Sequence, residues 1–463
     1  MSNHPRAVLY RTRRPRLEQG HPWVYANEIE RWEGEPSPGG LADITDSRGK
    51  FLAVGYVNPA SQITIRVVSY SPLEAMDAEF FRRRFERCAS FRSRFVGERA
   101  SCRLVYGEAD FLPGLIVDRF ADVLVVQVLS LGMDAARDTW LPVLIDVFRP
   151  SGVYERSDVG VRTLEGLEER TGVLYGECPR YVEIEENGLR IEVDIEGGQK
   201  TGYFHDQRQN RASIAPLMKG WGERSGIRTE ERETENGKEL VPVNANGNAV
   251  TFPYWDGATV LECFAHTGSF TLHGCQYGAK KVTCLDVSAH AIETAKRNVE
   301  RNGFSDRVEF VVEDAFEYLR RQVAGREERA ARARKDASSG QKVDTSKPLT
   351  SEGRTWDVII LDPPAFAKTK KAVTGACRGY KDINLQAMKL LNEGGFLVTA
   401  SCSYHVRPDL FLETIQEAAR DAGKTLRLIE WQGAGRDHPR LAGVEEGHYL
   451  KFGIFEVRSR TEL

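Results

Sequence analysis

The sequence has little that would tie it to a membrane, an oxidising compartment or a metal. No apolar run among its 463 residues is long enough to span a bilayer. The opening residues, Met-Ser-Asn-His-Pro-Arg, lack the apolar core of a signal peptide. The eight cysteines are scattered with no Cys-x-x-Cys pair, which fits neither a disulfide framework nor a zinc site. We therefore expect reduced thiols, no metal and a cytoplasmic protein with no membrane partner. A basic excess is also missing: 64 Lys and Arg stand against 67 Asp and Glu, for a net charge of −3. Binders of nucleic-acid phosphates usually carry such an excess. Any RNA contact must then come from local clusters. Two are present, Arg11, Arg13, Arg14 and Arg16, then Arg82, Arg83, Arg84, Arg87, Arg92 and Arg94. A solvated surface accounts for either run equally simply.

What is present describes a globular chain, 41% hydrophobic and 28% charged, too long for one ordinary domain. Residues 1–72 hold short alternating strands separated by turn signals, the pattern of a small all-β barrel. Residues 73–180 read as a central α+β domain. It opens with a helix over 76–99, whose Phe80, Phe81, Phe85 and Phe91 recur at helical spacing and predict a buried face. Residues 181–463 alternate strand and helix, which predicts a doubly wound, mostly parallel sheet. Two segments break that alternation, near 222–249 and 326–354, and read as surface insertions. A helix is expected over 382–391.

The chemistry gathers where predicted strands end. The strand 259–264 runs into Ala265-His266-Thr267-Gly268-Ser269-Phe270 and then a helix, a strand–turn–helix unit of the nucleotide-binding kind. Asp286 ends the next strand, where a carboxylate can hold ribose hydroxyls. The turn lacks the G-x-G-x-x-G spacing of a pyrophosphate site, so S-adenosylmethionine suits it better than a dinucleotide. The strand 356–361 delivers Asp362-Pro363-Pro364-Ala365-Phe366. Its prolines fix the backbone, its Asp362 can accept hydrogen bonds from an exocyclic amine, and Phe366 can stack on a flipped base. A proline-ended loop with a core Phe is the plain alternative. The strand 395–400 delivers Ser401-Cys402-Ser403. A thiolate there can add to the 6-position of cytosine and make the 5-position nucleophilic. Methylation at nitrogen needs no thiol, and a cysteine is often a small buried hydrophobe, the reading taken for Cys263, Cys275 and Cys284.

With these residues in place the chain resembles a known family, the bacterial large-subunit rRNA cytosine-5 methyltransferases of the RlmI type. The likeness runs through Gly20-His21-Pro22-Trp23-Val24, Leu112-Pro113-Gly114-Leu115-Ile116-Val117-Asp118-Arg119, Gln199-Lys200-Thr201-Gly202 and Asp206-Gln207-Arg208. It continues through Thr267-Gly268, Asp362-Pro363-Pro364 with Phe366, Gly379-Tyr380-Lys381-Asp382-Ile383-Asn384 and Ser401-Cys402-Ser403. Glu262, Ser269 and Phe111 stand where Asp, Gly and Gly are common. The resemblance implies an N-terminal PUA RNA-binding domain, a central α+β domain and a Rossmann-like class I methyltransferase domain. It implies Cys402 as nucleophile with Asp362 as its catalytic partner. S-adenosylmethionine is expected at Lys200, Thr201, Phe264, Thr267, Gly268, Asp286, Val287, Asp314, Ala315 and Asp362. The substrate is expected at Pro363, Pro364, Phe366 and Tyr380. The implied partner is large-subunit rRNA, and a homodimer is the assembly to look for. Rival expectations are a non-covalent RNA N-methyltransferase, a non-catalytic ribosome assembly factor and, more distantly, a dinucleotide-dependent oxidoreductase.

Overall fold

The computed structural model describes residues 4–12, 15–72, 75–221, 228–234, 237–244, 246–249, 257–339 and 353–462. Arg13 and Arg14 of the first basic run lie outside them. The chain divides into two compact units, Met1–Arg208 with Gly435–Gly447, and Gln209–Ala434 with His448–Leu463. The hairpin of Tyr181–Glu186 and Leu189–Asp194, read from sequence as the start of the third domain, lies in the first unit.

In the first unit, residues 6–69 form a six-stranded mixed sheet with its own apolar centre of Ala7, Ala42, Ile44, Ala53 and Ile65. A five-stranded sheet follows, with the strand Val123–Val128 at its middle. The helix Ala78–Val96 starts at Asp77, whose side chain accepts from Phe80 N at 3.0 Å and so satisfies an orphan amide of the first turn. Phe80, Phe81 and Phe85 are buried on its inner face, as their spacing predicts. The two layers are not separate modules. Val54, Tyr56 and Val68 of the six-stranded sheet share one core with Phe81, Leu104, Val126 and Trp140. Three of the arginines on this helix are held in ion pairs. Arg92 is buried in a bidentate pair with Asp110, and Arg82 and Arg83 pair with Asp146 and Glu79.

The second unit carries one seven-stranded sheet. We label its strands β1 (Thr259–Cys263), β2 (Lys281–Asp286), β3 (Val308–Val312), β4 (Trp356–Leu361), β5 (Leu391–Ser401), β6 (Lys424–Gln432) and β7 (Lys451–Ser459). Its helices are α1 (Ser269–Tyr277), α2 (Ala289–Arg301), α3 (Ala315–Ser339), α4 (Val373–Leu390) and α5 (Pro408–Asp421). The order across the sheet is β3-β2-β1-β4-β5-β7-β6, parallel except for β7. Successive residues point to opposite faces, and both faces are apolar. Leu261, Ile359, Leu361 and Leu397 join Tyr318, Ile383 and Ile415 on one side, while Val260, Val358, Ile360 and Val398 join Phe270 and Cys275 on the other. The strand order reverses between β1 and β4, the switch point at whose carboxyl edge ligands bind in such sheets.

One sequence expectation is corrected, and the two segments read as insertions gain structural detail. The helix expected over 382–391 begins at Val373, because Ala376 and Tyr380 bury on the same face as Ile383 and Ala387. The segment near 222–249 holds an antiparallel hairpin of Arg228–Thr234 and Gly237–Val243, with residues 222–227, 235–236 and 245 outside the described set. The start of the segment near 326–354 continues α3 to Ser339, with residues 340–352 outside the described set.

Within the first unit, buried Gly132 faces the Tyr56 ring so closely that a Cβ there would fall inside it. Gly132→Ala should lower stability by about 1–3 kcal/mol, seen as an earlier midpoint in urea unfolding. An unmoved midpoint would mean that the ring has room to retreat.

Candidate active site

The carboxyl edge of the sheet brings together most of the expected residues. Parallel pairing sets Cys263 of β1 against Leu361 of β4, and Leu361 against Thr399 of β5. The loops that follow these strands therefore begin side by side. After β1, Phe264 and His266 take left-handed φ of 64° and 49°, and Gly268 takes 77°. For the two non-glycines this is uncommon backbone, of the kind that clusters at ligand loops. A Cβ on Gly268 would sit 3.1 Å from Ala295 Cβ, so the close approach of α1 to α2 is what a small residue permits here. Asp286 fastens the loop: its carboxylate accepts from His266 N and Ser288 N, both at 2.8 Å. Each oxygen keeps a further lone pair for a ligand hydroxyl.

The fit to a nucleoside cofactor rests on this geometry. The Thr267 hydroxyl is buried with no hydrogen-bond partner among the described residues. Val287, next to Asp286, is 68% exposed and offers an apolar face at the strand end. Asp314 caps α3 by accepting from Phe316 N at 2.9 Å and Glu317 N at 3.1 Å, and Ala315 is buried behind it. Phe316 packs on both Phe264 and Phe366, with ring centroids 6.4 and 5.8 Å apart. Sequence reasoning missed Phe316, although it directly follows the Asp314-Ala315 pair.

At the end of β5 the Cys402 side chain is partly exposed, and its Sγ lies 3.8 Å from Pro363 O. The thiol is thus beside the Asp362-Pro363-Pro364 segment and not in an apolar interior. Its flanking serines hold it there. Ser401 Oγ donates to Tyr380 OH at 3.0 Å, Tyr380 OH and Ser403 Oγ are 2.9 Å apart, and Ala367 N donates to Ser403 Oγ at 3.1 Å. Lys451 Nζ of β7 donates to Ser403 O at 2.7 Å. Pro363 is buried, Pro364 is exposed, and Phe366 is half-buried with its ring 4.6 Å from that of Tyr380.

The expectation for Tyr380 is corrected. It is 0% exposed and wedged between Phe366 and Phe411, so it has no surface for a substrate and acts by fixing both serines. Lys200 and Thr201 lie in the first unit and are engaged there. The Thr201 hydroxyl donates to buried Asp118 at 2.6 Å, and Lys200 Nζ pairs with Asp206 at 2.7 Å.

Residues 8–70 match the family described as PUA-like domain, and residues 246–331 the family described as conserved hypothetical protein 95. The chain is 39% identical over 445 residues to the ribosomal RNA large subunit methyltransferase I of Pseudoalteromonas translucida, covering 95% of this chain and 96% of that one. It is 36% identical over 450 residues to the same-named protein of Cronobacter sakazakii, covering 96% and 98%. The chain belongs to the ribosomal RNA large subunit methyltransferase I family. Its fold is also that of a solved Streptococcus mutans protein assigned as a SAM-dependent methyltransferase, with TM-score 0.69 at 18% identity over 97% of this chain and 99% of that one. A further solved structure, of a protein assigned as a methyltransferase and complexed with SAH, has TM-score 0.71 at 18% identity with the same coverage.

At the carboxyl edge of the sheet Glu262 of β1, which the sequence marks only as standing where Asp is common, is a further buried carboxyl. It is 2% exposed and accepts from Thr271 N at 2.7 Å and from the Thr271 hydroxyl. Burial, helped by the charge of Asp362, pushes its pKa up to about 8 against the pull of the Thr271 bonds. It is therefore mostly neutral at pH 7 and adds little negative charge beside Asp362. An acid whose folded pKa is raised holds its proton in the folded state after the unfolded chain has released it. Its stability contribution is complete below about 4.5 and is lost as pH rises towards 8. Glu262→Gln should abolish that loss. Relative to wild type it should gain about 2–3 kcal/mol between pH 5.5 and 8, measured by urea unfolding at both pH values. A constant difference between the two proteins would show that Glu262 is ionised in the fold.

Proposed function

We propose that this chain methylates the 5-position of a cytosine in large-subunit (23S) ribosomal RNA, with S-adenosylmethionine as donor and Cys402 as covalent catalyst. Membership of its family makes the activity a methyl transfer to ribosomal RNA of the large subunit. The observation that carries the covalent reading is the partly exposed Cys402 thiol beside Pro363 O, one residue from Asp362, at the carboxyl edge of the sheet. Cys263, Cys275 and Cys284 are buried, and Cys402 differs from the other partly exposed cysteines, Cys178 and Cys377, in its place at the end of β5 beside Pro363 O.

Asp286, Val287, Thr267, Gly268, Phe264, Asp314 and Ala315 would hold the adenosine part of the cofactor, and the Asp362 segment its reactive end. When bound, S-adenosylmethionine supplies a methyl group on a sulfonium, a strong electrophile. The Cys402 thiolate forms a bond to C6 of the base, and the C5=C6 electron pair becomes available at C5. Asp362 accepts a hydrogen bond from the exocyclic amine and so orients the ring for attack. Once C5 carries the methyl, Asp362 takes the C5 proton, the double bond re-forms and the thiolate leaves. Cys377 is a poorer candidate for that base, since it packs against the apolar cluster around α4. The target base must leave its stack, at a cost of a few kcal/mol unless it is already single-stranded; Phe366 and exposed Pro364 are the groups offered to it. The PUA-like region supports RNA as the substrate, and a cytoplasmic location follows from that substrate. Among the described residues no helix is long and apolar enough to cross a membrane.

Cys402→Ala should give no detectable methyl transfer to large-subunit rRNA while S-adenosylmethionine affinity stays within about two-fold, given a side chain that touches the base and not the donor. Near-normal turnover in that variant would replace the covalent reading with N-methylation. Absence of any labelled methyl on rRNA with the wild-type protein would favour an assembly factor.

A further inference from the structure

Lys451 is a buried cation for which the reaction above has no use. It lies on β7, directly opposite Ser401 in the antiparallel pairing with β5, one residue before the nucleophile. It is 1% exposed. Its ammonium donates to Ser403 O at 2.7 Å and Tyr449 O at 2.9 Å, which leaves one of its three N–H groups over. Among the described residues no carboxylate pairs with it. Among the described residues the titratable group acting on it is the Cys402 thiol, which raises its pKa, while burial pushes the lysine down, to about 8. An ammonium kept out of water without a counter-charge is expensive, and a methionine would fill the same space.

Resting on the reading of Cys402 as nucleophile, we propose that Lys451 is the counter-cation of the Cys402 thiolate. It is a positioning residue that prepares the sulfur for attack on the base. The groups around the thiol leave this task to Lys451. Tyr380, from α4, spends its hydroxyl on Ser401 and Ser403, and burial raises its pKa, so it stays neutral. Asp362, from the segment after β4, is an anion and works against a second negative charge next to it. The Ser403 carbonyl ties the ammonium to the segment that carries the thiol, and the Tyr449 carbonyl ties it to the residues just before its own strand. No atom is transferred to Lys451: the thiol proton goes to solvent, and the lysine keeps its own.

The test is alkylation of the full-length protein with iodoacetamide from pH 5.5 to 9.5, with each cysteine followed by peptide mass spectrometry. Partly exposed Cys377 serves as the internal reference. In the wild type the pH midpoint for Cys402 should lie below that for Cys377. In Lys451→Met it should rise by about one unit, with alkylation at pH 7 falling about ten-fold and Cys377 unchanged. Lys451→Arg, which keeps the charge, should restore most of the shift. A wild-type midpoint at or above that of Cys377, or an unmoved midpoint in a Lys451→Met protein that still binds S-adenosylmethionine, overturns the proposal. Loss of turnover in Lys451→Met at every pH with no shift of midpoint would show a structural role only and also overturns it. The alkylation readout needs no RNA. A shifted midpoint in a protein whose Cys402→Ala variant still methylates would leave the ion pair standing and remove the covalent mechanism.

Discussion

The site depends on how the end of β5 is fastened. Ser403 alone is tied in three directions: its hydroxyl to Ala367 N after β4 and to Tyr380 on α4, its carbonyl to Lys451 on β7. Ser401 adds a bond to the same tyrosine. A loop end of this kind would otherwise sample many positions, and at a reacting group a misplacement of about 1 Å is enough to lose a large part of the rate. Here the neighbouring strands fix the coarse position, with Leu361 and Thr399 paired. The buried serine–tyrosine network fixes the remainder. A polar network of this kind is stable only when its members are satisfied, and the hydroxyls that hold the thiol are spent on each other and on backbone.

Charge is arranged with similar economy. Glu262 lies near Asp362 and Lys451 near the Cys402 thiol, and burial pushes both Glu262 and Lys451 towards their neutral forms. Glu262 goes up to about 8 and Lys451 down to about 8. Neutral Glu262 spares the site a second carboxylate beside Asp362. Lys451 differs in that a thiolate formed at Cys402 would reduce its burial cost. The same low dielectric that penalises an isolated ammonium makes its attraction to a thiolate strong. Selectivity between the two groups comes from neighbours, since both are almost wholly removed from water.

Much of this was legible in the sequence, for a physical reason. A parallel sheet buried on both faces is written as local apolar runs, and each functional residue follows its run directly. Asp286 follows Thr-Cys-Leu, Asp362 follows Val-Ile-Ile-Leu and Cys402 follows Leu-Val-Thr-Ala-Ser. What escaped depends on contacts between distant segments. Lys451 stands 48 positions from Ser403, in a run that reads as an ordinary strand. Tyr380 looked like a substrate contact because it sits in a polar motif, yet helical spacing with Ala376, Ile383 and Ala387 turns it into the core. The start of α4 was hidden by Gly375 and Gly379, which weaken helix propensity locally but are outweighed by packing. Gly379 even faces the Phe366 ring, 3.3 Å from where a Cβ would be, so the glycine is explained by the neighbour it admits. Phe111, where glycine is common in the family it resembles, does adopt the left-handed φ of 58° that glycine takes without strain. The sequence signal was a backbone requirement, met here at some cost.

The first unit repeats the lesson that module boundaries drawn from composition need not be boundaries of packing. Residues 1–72 carry a recognisable all-β pattern, but their sheet is joined to the central layer by a buried polar cluster. Glu165 accepts from Asn58, from the Ser61 hydroxyl at 2.8 Å and from Arg66 at 2.9 Å, and it is 3% exposed. Burial works to raise its pKa, and the Arg66 charge with these hydrogen bonds more than offsets that and lowers it, so Glu165 stays an anion inside the protein. Removing either layer would strand that charge or its arginine, and an unpaired buried ion costs several kcal/mol. The PUA-like sheet and the central sheet therefore stand or fall together. An RNA-gripping surface built on either inherits the rigidity of both, which matters for an enzyme that must hold a large substrate still while a single base is extracted from its stack.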